Sequence, residues 1–211
     1  MNSLESLHVD TFANLTQLKR LGLSYNNLTS LPADVFEELT NLEILEITNN
    51  YLSRIEDGTF RNLRNLKSLD LSLNKLTDLT PGLFKGLDNL SELMLAYNNL
   101  SVLTDYYFSN LKKLGKLSLK RNQISYIHEE AFTGTTDLYS LDLSYNKITN
   151  LYDAYFKFIT PFNKLLNIKI LNLRGNQLNE LFDEISMRPT LEVVNLAENN
   201  FTSINVSNYT L

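Results

Sequence analysis

The chain has no cysteine and no tryptophan, and only four prolines, seven glycines and two histidines in 211 residues. Without cysteine there is no disulfide framework, no thiolate metal site and no cysteine nucleophile. The two histidines, His8 and His128, lie far apart in the chain and read as loop residues, not as a metal or general-base pair. No apolar run reaches the roughly 18 residues that span a bilayer. The opening MNSLESLHVD has neither the basic nor the apolar stretch of a signal peptide. No GxSxG, HExxH, P-loop or GxGxxG pattern occurs, and no carboxylates cluster in a way that would close a pocket. We therefore assign no catalytic residue, metal ligand or cofactor and expect a non-enzyme. Lys and Arg number 19 against 24 Asp and Glu, a net charge of -5 that disfavours a nucleic-acid partner.

What the chain does contain is repetition. LKRLGLSYN begins at Leu18, LKSLDLSLN at Leu66 and LYSLDLSYN at Leu138. Aligning the leucines gives blocks that start at Leu18, Leu42, Leu66, Leu90, Leu114 and Leu138, each 24 residues after the last, with two more at Ile168 and Leu191. Each follows LxxLxLxxNxLxxLxxxxFxxLxx. Residues 1–17 form a partial block, so 1–211 reads as a single array, expected to be a fragment that lacks capping modules at both ends. The LxL core alternates apolar and polar residues, as a half-buried strand does. A short period with one strand per block forces neighbouring blocks to pair in parallel and to bury their apolar edges against one another. The expected fold is an α/β solenoid with a parallel sheet on the concave face and loops or short helical turns on the convex face.

Two ladders accompany the leucines. Asn26, Asn50, Asn74, Asn98, Asn122, Asn146, Asn176 and Asn199 share one position, where an amide can satisfy backbone groups of its own turn and the next. Phe36, Phe60, Phe84, Phe108, Phe132 and Phe156 share another and are expected to stack as a spine. Both ladders read as structural.

The concave wall carries the polar positions of the strands. Tyr25, Leu73, Tyr97 and Tyr145 fall in one column with Asn49, while Lys116, Lys120 and Arg121 form a basic island beside Glu92. Exposed tyrosine is a favoured contact residue, large, fairly rigid and amphipathic. These nine residues are the candidate ligand-binding set; the alternative is a solvated wall whose rings only stack between turns. Seven Asn-x-Ser/Thr sequons occur, at Asn14, Asn27, Asn89, Asn99, Asn200, Asn205 and Asn208. None falls on a concave-facing strand position, so sugar there would leave the inner wall clear. This pattern suggests a secreted or cell-surface protein.

The repeat resembles the typical leucine-rich repeat of animal extracellular proteins, over almost the whole chain. Toll-like receptors, Slit-like guidance proteins, proteoglycan cores and insect immune proteins share it. The block at Leu138 is six residues longer than the rest, with the extra length near AYFKFITPFNKLLN (154–167). Together with the Tyr25-Asn26, Asn49-Asn50 and Tyr97-Asn98 pairs, this is similar to insect Toll receptors. The resemblance implies the ectodomain of a single-pass membrane receptor. It further implies a protein ligand, a dimeric cystine-knot cytokine of the Spätzle type, with ligand-induced dimerisation open and no membrane contact within these residues. The alternative is a soluble extracellular immune or matrix protein that acts by assembly with a partner chain.

Overall fold

The computed structural model describes residues 3–151, 160–180 and 189–202. Ten strands occur there: β1 Arg20–Gly22, β2 Ile44–Glu46, β3 Ser68–Asp70, β4 Glu92–Met94, β5 Val102–Leu103, β6 Lys116–Ser118, β7 Tyr126–Ile127, β8 Ser140–Asp142, β9 Ile170–Asn172 and β10 Val193–Asn195. Eight of them form one sheet in the order β1-β2-β3-β4-β6-β8-β9-β10, and every pairing is parallel. The register is the period of the sequence: Leu21 faces Leu45, Leu45 faces Leu69, Leu69 faces Leu93, and so on to Leu171 and Val194.

The middle residue of each LxL strand points into a continuous core. Leu45, Leu69, Leu93 and Leu141 are fully buried, as are the leucines that open each block from Leu42 to Leu138. In the first and last described turns, with a neighbour on one side only, Leu15 and Val194 are exposed. Opposite the sheet the chain runs through tight turns. The helical elements among the described residues are two short 3-10 helices, Val9–Phe12 and Pro161–Lys164. A second sheet, absent from the sequence reading, pairs β5 with β7 on the flank. Both histidines serve such turns: His8 and His128 each accept, through Nδ1, a backbone N–H two residues on, from Asp10 at 3.3 Å and Glu130 at 3.2 Å.

The asparagine ladder is built as one motif repeated. The Asn98 Oδ1 accepts the Leu76 N–H at 3.0 Å, while Nδ2 donates to the carbonyls of Leu71 at 3.0 Å and Leu95 at 3.1 Å. Asn50, Asn74, Asn122, Asn146, Asn176 and Asn199 repeat this arrangement. Asn26 likewise accepts from the Leu4 N–H and donates to Leu23. The amides therefore join their own turn to the preceding one. This corrects the expectation of a link to the following turn: the chain leaves the strand with the amide aimed back toward the end already laid down.

The phenylalanine spine runs through Phe36, Phe60, Phe84, Phe108 and Phe132, all essentially buried. Phe84, Phe108 and Phe132 stack in succession at centroid separations of 6.1 and 6.0 Å, and Phe12 extends the spine by stacking on Phe36 at 6.0 Å. Phe156, expected next, lies outside the described residues, and the ring that stacks on Phe132 is Phe162, at 6.2 Å. Phe162 precedes Ile168 by the same spacing as Phe132 precedes Leu138. The six added residues thus fall before the ring, and the spine is set by its distance to the following strand.

A second amide ladder, which the sequence reading missed, runs along the other flank. Asn41, Asn65 and Asn89 donate Nδ2 to the carbonyls of Thr16, Thr40 and Arg64 at 2.9, 2.9 and 2.8 Å, and Asn167 does the same to Thr136 at 2.8 Å. The 24-residue spacing of Asn41, Asn65 and Asn89 was visible in the sequence.

Two stability predictions follow from this architecture. Asn98→Ala strands the buried Leu76 N–H, which costs about 1–3 kcal/mol, and removes one of the two amide donors to each of the Leu71 and Leu95 carbonyls, which keep Asn74 and Asn122. Asn98→Asp keeps the acceptor, loses both donors and aims a carboxylate at carbonyl oxygens. Both variants are expected to unfold at clearly lower urea than the parent; an unchanged midpoint for either would refute the ladder's role. Gly134 has φ +92°, and a Cβ there would lie 2.3 Å from the Ser109 carbonyl oxygen. Gly134→Ala is therefore expected to lose at least the roughly 1–3 kcal/mol of a left-handed non-glycine residue, measured by the same titration.

Candidate functional site

The column expected to bind ligand has a backbone property of its own. Tyr25, Asn49, Leu73, Tyr97, Arg121, Tyr145 and Glu198 all sit at positive φ, between 53° and 60°, and Gly175 shares the column at 68°. The reason is local. Each of the first seven residues of the column, through Gly175, donates its N–H to the next turn, as Tyr97 does to the Lys120 carbonyl at 2.8 Å and Arg121 to Ser144 at 2.8 Å. The following asparagine must then turn its amide inward. A single left-handed residue makes that corner and sends its own side chain outward along the rim of the concave wall. Tyrosine, leucine and arginine do not favour this conformation, so the residue types alone gave little sign of it.

Exposure divides the column. Tyr25 is 55 % exposed, and Leu73 and Tyr97 are each 44 % exposed. Tyr145 is half-buried. Its ring lies over Gly175, where a Cβ would come within 2.5 Å of the Tyr145 Cδ1, so only glycine leaves the ring this seat. Three cations surround that ring. The Arg121 Cζ lies 4.6 Å from its centroid, and the Lys120 Nζ and Arg174 Cζ each lie 5.8 Å away. Arg121 also lies 5.6 Å from the Tyr97 centroid, so one guanidinium bridges the rings of the turns before and after its own. Arg174 pairs with Glu198 at 2.5 Å. That pair, with a further hydrogen bond from Tyr145, holds the Glu198 carboxyl below the usual carboxylate range, and Glu198 raises Arg174 in turn.

The basic island is therefore split. Lys116 leaves it for Glu92, in the preceding turn, at 2.7 Å, and that hydrogen bond and charge raise the lysine above its ordinary value. Lys120 and Arg121 join Tyr97 and Tyr145, with Arg174 and Glu198 added by the structure. Alignment of the block at Ile168 places Arg174 on the concave wall, but column position alone does not show its side chain meeting Tyr145 and Glu198, so neither residue entered the binding set. Tyr25, Asn49 and Leu73 occupy the same rim nearer the start of the array.

Of the sequons, Asn14, Asn27, Asn99 and Asn200 are exposed, and none is on a strand. Asn89 is half-buried and its amide is engaged at both ends: Nδ2 donates to Arg64, and Oδ1 accepts from the Lys113 Nζ at 2.7 Å. Asn205 and Asn208 lie outside the described residues. On the opposite flank, Glu43 is held low by Lys67, 2.6 Å away, with Lys19 as a second cation at 3.5 Å. Among the described residues no three His, Asp or Glu side chains gather in a way that could hold a metal ion. No helix there is long and apolar enough to cross a membrane.

Solved structures share this architecture. Part of TLR13, in the TLR13–ssRNA13 complex, superposes with a TM-score of 0.83 at 29% identity, over 92% of this chain and 27% of that one. A leucine-rich repeat protein of Leptospira interrogans gives 0.80 at 29% identity, over 98% of this chain and 48% of that one. Toll in the Drosophila Toll–Spatzle complex gives 0.68 at 26% identity, over 95% of this chain and 34% of that one. The chain thus spans less than half the length of each. No curated protein matches it. Its residues 1–50, 40–100 and 88–148 match the family described as Leucine rich repeat. The chain belongs to the leucine-rich repeat family, and its turns are built like those of Toll and Toll-like receptors.

Proposed function

We propose that this chain is a protein-binding segment of a Toll-like receptor ectodomain, acting outside the cell in innate immunity or development. Its ligand-contacting surface is the rim of the concave wall: Tyr25, Asn49, Leu73, Tyr97, Lys120, Arg121 and Tyr145, flanked by the Glu92–Lys116 pair. The observation that carries this reading is that large side chains, tyrosines above all, leave an open parallel sheet at fixed backbone angles and remain exposed. Rigid aromatic groups are suited to contact because little conformational freedom is lost on binding. The four exposed sequons lie off the strands, so glycans at Asn14, Asn27, Asn99 and Asn200 would leave that rim uncovered; Asn89, Asn205 and Asn208 complete the set of acceptors. The Drosophila Toll structure is a complex with Spatzle, and a dimeric cystine-knot cytokine of that type is the first ligand to try, with receptor dimerisation as the consequence. TLR13 was solved with single-stranded RNA. For this chain the net charge of -5 and the tyrosine-rich rim favour a protein.

The test is direct binding of a Spätzle-type cytokine to the parent chain and to the Tyr25→Asn/Tyr97→Asn double variant, since asparagine tolerates positive φ better than alanine does. The variant is expected to bind about tenfold more weakly or worse, as when contact aromatics are removed, with an unchanged circular dichroism spectrum. Unaltered affinity would remove the rim from the reading. If the chain instead dimerises with concentration in light scattering and ignores the cytokine, the soluble assembly protein becomes the better reading. In a glycosylating host, mass spectrometry is expected to find sugar on Asn27, Asn99 and Asn200 and least on Asn89, whose amide is already spent. No sugar on any sequon would refute the extracellular assignment.

A further inference from the structure

The cations of the rim are not equivalent. Lys116 is paired with Glu92 at 2.7 Å and Arg174 with Glu198 at 2.5 Å. Between those pairs, neither Lys120 nor Arg121 has a carboxylate within ion-pair distance among the described residues, Glu198 feeling the Arg121 charge only from farther off, although carboxylates outnumber cations in the chain. The other acidic group of this stretch, Asp142, spends Oδ1 on the Ser144 N–H at 2.9 Å. Arg121 is held as a plate, with the Tyr145 ring 4.6 Å and the Tyr97 ring 5.6 Å from its Cζ. Two donors of the same stretch are unspent. Ser144 is 1 % exposed and its Oγ has no partner, and the buried Nε of Arg174 has none either. Both lie in the strand-end column of Lys120. Buried donors without acceptors are uncommon and call for an explanation.

We propose that this end of the rim receives an acidic segment of the protein ligand, with adjacent carboxylates seated on the Arg121 guanidinium and the Lys120 ammonium. A guanidinium meets a carboxylate through two parallel N–H···O bonds, and stacking between two rings fixes its plane beforehand. Lys120 supplies a second, point-like charge beside it. The unspent Ser144 Oγ and Arg174 Nε lie closed to solvent beside these cations, so this end of the rim keeps donor character that no acceptor of the protein offsets. A nucleic-acid strand is the weaker fit: tight phosphate binding draws on roughly six to ten cationic contacts, and two unpaired cations stand here. The inference rests on the protein-ligand reading above and names the chemistry of that ligand's contact.

The experiment is a nuclear magnetic resonance titration of the 15N-labelled chain with a hexaglutamate peptide. Saturable shifts are expected at Lys120, at the Arg121 side-chain Nε–Hε, and at Ser144 and Arg174, weakening as salt is raised. In the Lys120→Gln/Arg121→Asn variant, whose asparagine accepts the positive φ, affinity is expected to fall about tenfold or more, as for a lost charge-assisted contact. The urea midpoint should hold. Absence of shifts at these residues, or equal affinity in the variant, overturns the proposal. So does tighter binding of a 13-nucleotide oligouridylate at the same ionic strength. If hexaglutamate fails while the Tyr25/Tyr97 variant still weakens cytokine binding, this inference falls and the protein-ligand reading stands.

Discussion

Everything else in the molecule depends on one bidirectional amide contact. From Asn50 onward each ladder asparagine returns an acceptor and a donor to the turn before it, so adjacent turns are linked by directional bonds and not only by apolar contact. A hydrophobic interface tolerates sliding; a pair of hydrogen bonds of opposite sense does not. The turn that begins at Leu138 shows this. Asn146 reaches the Leu119 carbonyl across 27 residues, while Asn176 reaches Leu143 across 33, both at 3.0 Å. Six extra residues have been absorbed without moving the amide, and Ser140, Leu141 and Asp142 still face Ile170, Leu171 and Asn172.

Because the ladder holds the strand side, the convex side is free to vary. Each convex loop from Asn14 to Gly134 makes its corner with one positive-φ residue, but not at a constant place: Asp34, Gly58 and Tyr106 sit at one position, and Asn14, Gly86 and Gly134 four residues later in the repeat. The phenylalanine spine persists through both forms because each ring is positioned from the strand that follows it. The same rule makes Phe162, and not Phe156, the ring that meets Phe132.

Much of this was legible in the sequence, and the remainder was hidden for identifiable reasons. Period, strand position, parallel register, buried leucines and both ladders follow from spacing, because a 24-residue repeat with one LxL leaves few ways to bury it. Spacing carries no direction, so the sense of the amide bonds was misread. The left-handed corner was hidden because its occupants are tyrosine, leucine, arginine and glutamate as well as asparagine and glycine; only Asn49 and Gly175 look like corner residues. Register requires the corner, and whatever stands there adopts it. Arg174 and Glu198 escaped for a different reason. Alignment of the blocks at Ile168 and Leu191 gives their columns, but not the reach of their side chains to Tyr145 and to each other.

This corner also explains how a repetitive scaffold holds an individual site. A left-handed non-glycine residue carries a penalty of roughly 1 kcal/mol or more, and the ladder bonds offset it turn after turn. In return, one side chain per turn emerges in a constant direction from a backbone that cannot relax. Side chains in successive corners then stand one turn apart, which is stacking distance for rings and guanidinium groups. A cation such as Arg121 can therefore bridge Tyr97 and Tyr145 without any contact designed outside the repeat. Changing the residue type at the corner alters the chemistry of the rim while the fold is held by Leu, Asn and Phe positions elsewhere. Binding specificity and stability are thus written at different places in the same 24 residues, and the rim is free to diverge under selection that the core would not tolerate.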